Sequence, residues 1–404
     1  MEDPCNAAGN MPNGLGRAAR GIFFLAFLFF LNFLSRVLFS PLLPLIKEEF
    51  QLNNSQSGSL FFFITMGYML SVSMSGFVSA RINHANTIFF SSCGAGGVLL
   101  LVPLSTSFIS LCVSVFVLGL VAGLYLPSGL RTIFASVPTS FLARGIAIHE
   151  LAPNLGFIMA PLVWQAASLY LSWRGCLFVV GALLGLTGIV YRFSGYPLKS
   201  RGVSPSRRLL LLLFGNYRFW LLVFLFSFAI CSTLGMFAML PLFLVSDHGM
   251  STRTANYIVA ATRGFSLFTP FLGGWLGDRF GNSVVMTSVL LSVGVLTVCI
   301  GLGSGTTLIV LITLQAMIAV CFFPSGLAVL SSFTVEGQSS AAVPFCIPLA
   351  FMAGGGLIPL LIGVIGDITS VGTGIAVAGG GIFVAGCVAL VLLRAVVEES
   401  TSQM

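Results

Sequence analysis

The stretch GGWLGDRFGNSVVM, Gly273 to Met286, sets a glycine-rich turn and the adjacent charges Asp278 and Arg279 between two apolar runs. The rest of the chain is greasy: of 404 residues, 57% are hydrophobic and 7% charged, with 38 phenylalanines. No water-soluble globular domain presents such a balance to solvent, so the composition predicts an integral membrane protein. Irregular backbone facing lipid would leave its polar groups unpaired, and the 46 glycines suit helices that pack through small residues. The fold class expected is all-α.

Windows of about 20 apolar residues match a hydrocarbon core of roughly 30 Å. Twelve such spans are expected, near 21–46, 57–80, 86–106, 108–135, 145–169, 174–194, 219–246, 255–277, 284–303, 306–330, 341–365 and 372–396. The first runs too long for a secretory signal and contains Arg36, so it counts as a span. With the N-terminus inside, twelve Lys and Arg residues, from Arg17 to Arg394, flank the inner ends. The outer loops hold only Lys47, Arg174 and Arg253. Positive residues stay in the cytoplasm, so both termini are expected there. The net charge of +7 is then a topology signal within a lipid bilayer and gives no reason to expect nucleic-acid binding.

The nine cysteines show no CxxC spacing and read as small packing residues. The sequon at Asn53 falls in a short loop close to the membrane and reads as a chance match. No HExxH, Walker motif or acid and histidine cluster is present, so neither an enzyme, a cofactor nor a metal is expected.

GYPLKSRGVSPSRR, from Gly195 to Arg208, is the one long polar interruption, and it divides the chain into 1–194, a linker at 195–218, and 219–404. A repeat spans that division. YLPSGL at Tyr125 recurs as FFPSGL at Phe322, and Pro44-Leu45 recurs as Pro241-Leu242, both at an offset of 197. Gly76 with Arg81 matches Gly274 with Arg279, and Gly156 with Pro161 matches Gly354 with Pro359, at 198. The halves are duplicates, and a pseudo-symmetric pair of six-helix units is expected.

Two such halves, a basic central loop and the motif GWLGDRFG from Gly274 to Gly281 resemble the major facilitator superfamily of secondary transporters over essentially the whole chain. The resemblance implies alternating access, with Gly274, Asp278, Arg279 and Gly281 as conformational machinery. The glycines permit a very short turn. Asp278 would accept hydrogen bonds from amides at a helix start or pair with an arginine across the interface. In the family this element is held to lock helices in the outward-facing state. The copy in the first half is degraded, with Ala80 where Asp278 stands and His84 in place of Asn282.

Charges inside the spans point to the substrate, since each mid-membrane arginine costs roughly 2.5–3.5 kcal/mol on insertion scales. Arg36, Arg131 and Arg263 are the three arginines, and Glu150, beside His149, is the one acid away from span ends. At the repeat offsets they face Thr233, Ala328, Thr65 and Pro348, none of them charged. A site near a pseudo-two-fold axis can be asymmetric in this way. Arg131 and Glu150 are expected at similar depth, either as a static ion pair or as one switched during transport. Arg36 and Arg263 fall in the outer-central region, one from each half, with no acid left to neutralise them. Two guanidiniums on one cavity suit a carboxylate or phosphate. The alternative for each is a bond to helix carbonyls or snorkelling to the interface. Tyr68 and Asn154 are further candidate lining residues.

The arginine before SPLLPLIKEEF and the one in PSGLR resemble the organic-anion:cation symporter branch, where arginines of the first and fourth helices hold the substrate carboxylate; here these are Arg36 and Arg131. The glycine signature of nitrate transporters is only faintly echoed by AGGGLIP, Ala353 to Pro359. Proton coupling would rest on Glu150 with His149. The function expected is symport of a small organic anion with a proton or other cation, by a monomer in a bacterial inner membrane. Export or exchange of amphipathic compounds, or a non-transporting receptor, are the competing classes.

Overall fold

A computed structural model describes residues 11–137, 139–194, 200–202, 207–332 and 339–402. Pro138, most of the 195–208 interruption and both chain ends lie outside these residues, as do the side chains of Arg17, Arg207, Arg208 and Arg394. Among the described residues, eleven helices are long and apolar enough to cross a membrane: α1 (Ala19–Phe50), α2 (Asn54–Ile82), α3 (His84–Leu104), α4 (Phe108–Ser136), α5 (Arg144–Ala167), α6 (Trp173–Phe193), α7 (Tyr217–Ser246), α9 (Asn282–Leu302), α10 (Gly305–Ser331), α11 (Val343–Ile368) and α12 (Val371–Val391). The twelfth, α8, is two shorter helices, Thr252–Phe265 and Thr269–Phe280, where a continuous helix over 255–277 was expected. Pro270 explains the break, because it has no N–H to return to the Ser266 carbonyl. Thr269 Oγ1 donates to that carbonyl instead, at 3.0 Å.

The duplication is visible in backbone angles. Gly281 alone separates the helix ending at Phe280 from α9, and its φ of 92° is the left-handed conformation the turn requires. Asn83, 198 positions earlier, joins α2 to α3 with φ 69°. Asparagine tolerates that region better than other side chains, and here its Oδ1 caps α3 at the Asn86 amide, 2.9 Å away.

Two π-helical turns depart from the regular pattern, Cys231–Gly235 in α7 and Ala353–Leu357 in α11. They meet backbone to backbone. A Cβ on Gly354 would stand 2.0 Å from the Ser227 carbonyl oxygen, and one on Gly356 would meet Thr65 Oγ1 at 1.9 Å. The AGGGLIP run is therefore a contact surface of α11 for α7 and α2, which accounts for its glycines without a ligand.

The halves join at one end, around Asn54. There α2 packs on α11, α5 on the first part of α8, and the last turns of α1 on α7. Asp367 on α11 accepts hydrogen bonds from the first amides of α2, Asn54 N at 2.6 Å and Ser55 N at 3.0 Å, and Asn54 Nδ2 donates to the Gly366 carbonyl at 2.9 Å. A carboxylate on free amides at a helix start is doubly favourable, since it satisfies orphan donors and meets the positive end of the dipole. Lys47 donates to the Asn54 side chain from the α1 side. Deeper in, Pro241 leaves the Phe237 carbonyl without its helical donor, and Ser40 Oγ of the other half supplies one at 2.6 Å. At the opposite end, that of Arg279, residues 125–136, 269–280 and 322–332 pack chiefly within their own halves.

Candidate functional site

Arg36 is 6% exposed on α1. Its guanidinium lies over the Tyr68 ring at 4.1 Å and the Phe33 ring at 5.2 Å, and its Nε has no hydrogen-bond partner. Arg263, in the last turn before the α8 break, is 5% exposed and lies 4.8 Å from the Phe157 ring and 5.5 Å from the Phe237 ring. One ring connects the two neighbourhoods. Phe157 of α5 packs edge-on against Phe33 at 5.0 Å and against Phe237 at 4.8 Å. A continuous aromatic wall therefore runs from Arg36 to Arg263.

Their bonding differs. The π turn in α7 frees carbonyls that α-helical geometry would occupy. Arg263 Nη2 donates to that of Thr233 at 2.5 Å, and Gln315 Nε2 donates to that of Ser232 at 2.8 Å. Arg263 therefore makes the helix–helix bond anticipated as its structural alternative, with the rest of its donor fork left over. Among the described residues, no carboxylate lies within 4.0 Å of Arg36 or Arg263, so neither buried arginine is neutralised by one. Buried cations of this kind cost several kcal/mol unless a counter-charge arrives. The guanidinium faces on aromatic rings recover part of that cost.

The anticipated Arg131 to Glu150 pair does not form. Glu150 Oε1 is bonded to His149 Nδ1 at 3.2 Å, with 48% of the Glu150 side chain accessible. His149 is fully buried and stacked on Phe29 at 4.4 Å, its Nε2 is 3.4 Å from the Tyr125 hydroxyl, and that hydroxyl donates to the Leu25 carbonyl at 2.6 Å. Equal depth on adjacent helices was not sufficient, because the two side chains project in different directions. Arg131 instead lines a cavity of about 330 Å³ with His84 and Ser200–Gly202, sharing no residue with the Arg36 cluster.

Tyr68 stands under Arg36 and is 6.1 Å from Phe351 of α11, so it touches both halves. Asn154 is half-buried and donates to the Glu150 carbonyl one turn back, at 3.3 Å. Phe33, Phe157 and Phe237 were not singled out from the sequence, for among 38 phenylalanines nothing local marks them. In the conformational motif, Asp278 and Arg279 are exposed, and Arg279 lies over Trp275 at 5.5 Å and Phe280 at 5.6 Å. Asp278 pairs with no described residue; the lock expected of it belongs to the outward-facing state. Around it, residues 269–280 pack chiefly within the second half.

Sequence comparison finds 25% identity over 263 residues to an uncharacterized MFS-type transporter, YceJ of Bacillus subtilis (strain 168), covering 63% of this chain and 65% of that protein. A probable sulfoacetate transporter, SauU of Cupriavidus necator, is 26% identical over 298 residues, covering 66% of this chain and 67% of that one. The fold is shared with a bacterial homolog of the human lysosomal transporter Spinster in an inward-facing, occupied conformation, at TM-score 0.75 and 18% identity over 93% of this chain and 94% of that one. It is shared equally with a D-xylose-proton symporter, at TM-score 0.74 and 14% identity over 92% and 97%. The family model of the Major Facilitator Superfamily matches residues 25–306, and the chain belongs to that superfamily of membrane transporters.

Proposed function

We propose that this transporter carries a small organic anion, with Arg36 and Arg263 as its binding cations. The observation that carries this reading is a pair of buried guanidiniums, one from each half, set along a shared wall of Phe33, Phe157 and Phe237 with no carboxylate against either. Sulfoacetate, the cargo for which the Cupriavidus relative is named, is such an anion. Tyr68 completes the wall beneath Arg36. Arg131 and Asn154 would serve the anion only in another arrangement of the halves.

With both termini in the cytoplasm, as the positive residues suggest, the closed Asn54 end faces outward and the parted Arg279 end inward. The chain is then inward-facing. The units 1–194 and 219–404 would rock about the 195–218 connection, with Asp278 engaging when the inner end closes.

Thermal stability of the purified protein against carboxylates, sulfonates and phosphates tests the reading. An anion at about 100 times its dissociation constant should add roughly 2.7 kcal/mol, and Arg36→Ala should erase the gain. Stabilisation by neutral or cationic amphiphiles alone would replace anion transport with export of such compounds.

Moving one negative charge into a cell at 100 mV, inside negative, costs about 2.3 kcal/mol, so uptake requires a coupled cation or an exchanged anion. Glu150, half accessible and bonded to His149, is the proposed proton carrier. In proteoliposomes, Glu150→Gln is expected to bind anion normally and to lose at least ~10-fold of its gradient-driven uptake, about 1.4 kcal/mol. Retention of the full response to a pH gradient would remove Glu150 from the coupling.

A further inference from the structure

The cavity around Arg131 is unused by the reading above, and its chemistry is distinct. Two arginines, Arg131 of α4 and Arg201 of the connection between the halves, line it together with His84. No acid is among its described lining residues. His84 is 6% exposed, and its Nδ1 is engaged by Ser128 Oγ at 3.1 Å, which leaves Nε2 as the free ring nitrogen.

The wall is organised. The Ser200 carbonyl accepts from the His84 amide at 3.1 Å, and the Gly202 amide donates to the Ser79 carbonyl at 3.2 Å, so the connection is seated on the turn between α2 and α3. Gly202 approaches so closely that a Cβ there would meet Ser79 Oγ at 2.1 Å. Two exposed arginines on one cavity with no acid among its described lining give it a positive field that favours an anion. Three donor groups from three chain segments match the three free oxygens of a phosphate ester, and the guanidinium fork favours that geometry.

We propose that this cavity binds a phosphate group, separate from the transported anion, and that the bound group fastens the connection between the halves to the first half. The phosphate could be that of a soluble ester or of a lipid headgroup at the same membrane face. A group bridging Arg201 to Arg131 would reinforce the backbone bonds by which Ser200 and Gly202 hold the connection to the first half.

The test is isothermal titration of inorganic phosphate into the full chain in phosphatidylcholine nanodiscs. Arg201 is exposed on the connection, so Arg201→Ala leaves the helix packing intact. The expected result is saturable binding, at least ~10-fold weaker in Arg201→Ala and in Arg131→Ala and unchanged in Arg36→Ala. Repeating it in nanodiscs with phosphatidic acid distinguishes the sources: loss of phosphate binding there assigns the cavity to a headgroup, and persistence assigns it to a soluble ester. Absence of binding, or binding indifferent to both cavity variants, overturns the proposal. Loss in Arg36→Ala overturns it too, by placing the phosphate in the transport site.

Discussion

Arg36→Ala is expected to weaken anion binding by at least ~100-fold and to abolish measurable transport, while the protein remains folded. A guanidinium gives a carboxylate two parallel hydrogen bonds, each about 1.5–3 kcal/mol when charge-assisted. Losing both corresponds to roughly two to four powers of ten, at about 1.4 kcal/mol each. Folding should survive because the side chain has no carboxylate partner to strand, and its Nε is unpaired as it stands. Arg36→Met, which keeps most of the volume over Tyr68, should be at least as heat-stable as the parent and equally inactive. Arg36→Lys retains the charge but not the fork and should fall between, about tenfold weaker than arginine. Ligand titration and uptake on the same preparations decide the matter: an active Arg36→Met protein would remove Arg36 from the site.

Gly58→Val is expected to stop net transport by a different route, leaving anion binding in place. Gly58 of α2 faces α11 across the joined end, and a Cβ there would stand 2.4 Å from the Pro359 carbonyl oxygen and 3.0 Å from Leu360 Cα. These are backbone atoms and cannot turn aside, so the halves could not meet at the Asn54 end. Only the arrangement open there would remain, and a carrier needs both. Ser40→Cys, at a position fully buried in the closed arrangement, provides the readout. A water-soluble maleimide, followed at position 40 by mass spectrometry, should react at least ~10-fold faster in the Gly58→Val background, a shift of about 1.4 kcal/mol. Gly97→Val is the control, since a Cβ at Gly97 meets nothing within 4 Å. Unchanged labelling with unchanged transport would show that α2 and α11 can close around a side chain.

The fold was legible because its strongest signals are periodic or repeated. Spans of apolar residues have few alternatives in lipid, and the offset of 197 to 198 resurfaces as the matched turns at Asn83 and Gly281. Local departures were less legible. In α7 the Ser232 and Thr233 carbonyls of the π turn and the Phe237 carbonyl freed by Pro241 are claimed by Gln315, Arg263 and Ser40, from distant parts of the chain, whereas the break at Ser266–Phe268 follows from Pro270 close by.

The candidate site divides the same way. That Arg36 and Arg263 must be exceptional followed from the cost of burying charge. That Glu150 turns to His149, and Arg131 to the connection between the halves, depends on helix rotation. A span that is apolar on every face does not encode its rotation, so equal depth was mistaken for contact.

The closure at the Asn54 end has a consequence for hydration. Its bonds join the Asp367 carboxylate on one half to the first amides of α2 on the other. When that end opens, water takes both roles, hydrating the carboxylate and the freed amides. Enthalpy lost in one set of bonds is largely regained in the other, and the balance is left to the entropy of the molecules recruited. The resting position of the carrier is in this respect a dehydration equilibrium, and it should respond to the thermodynamic activity of water itself, independently of any solute it moves.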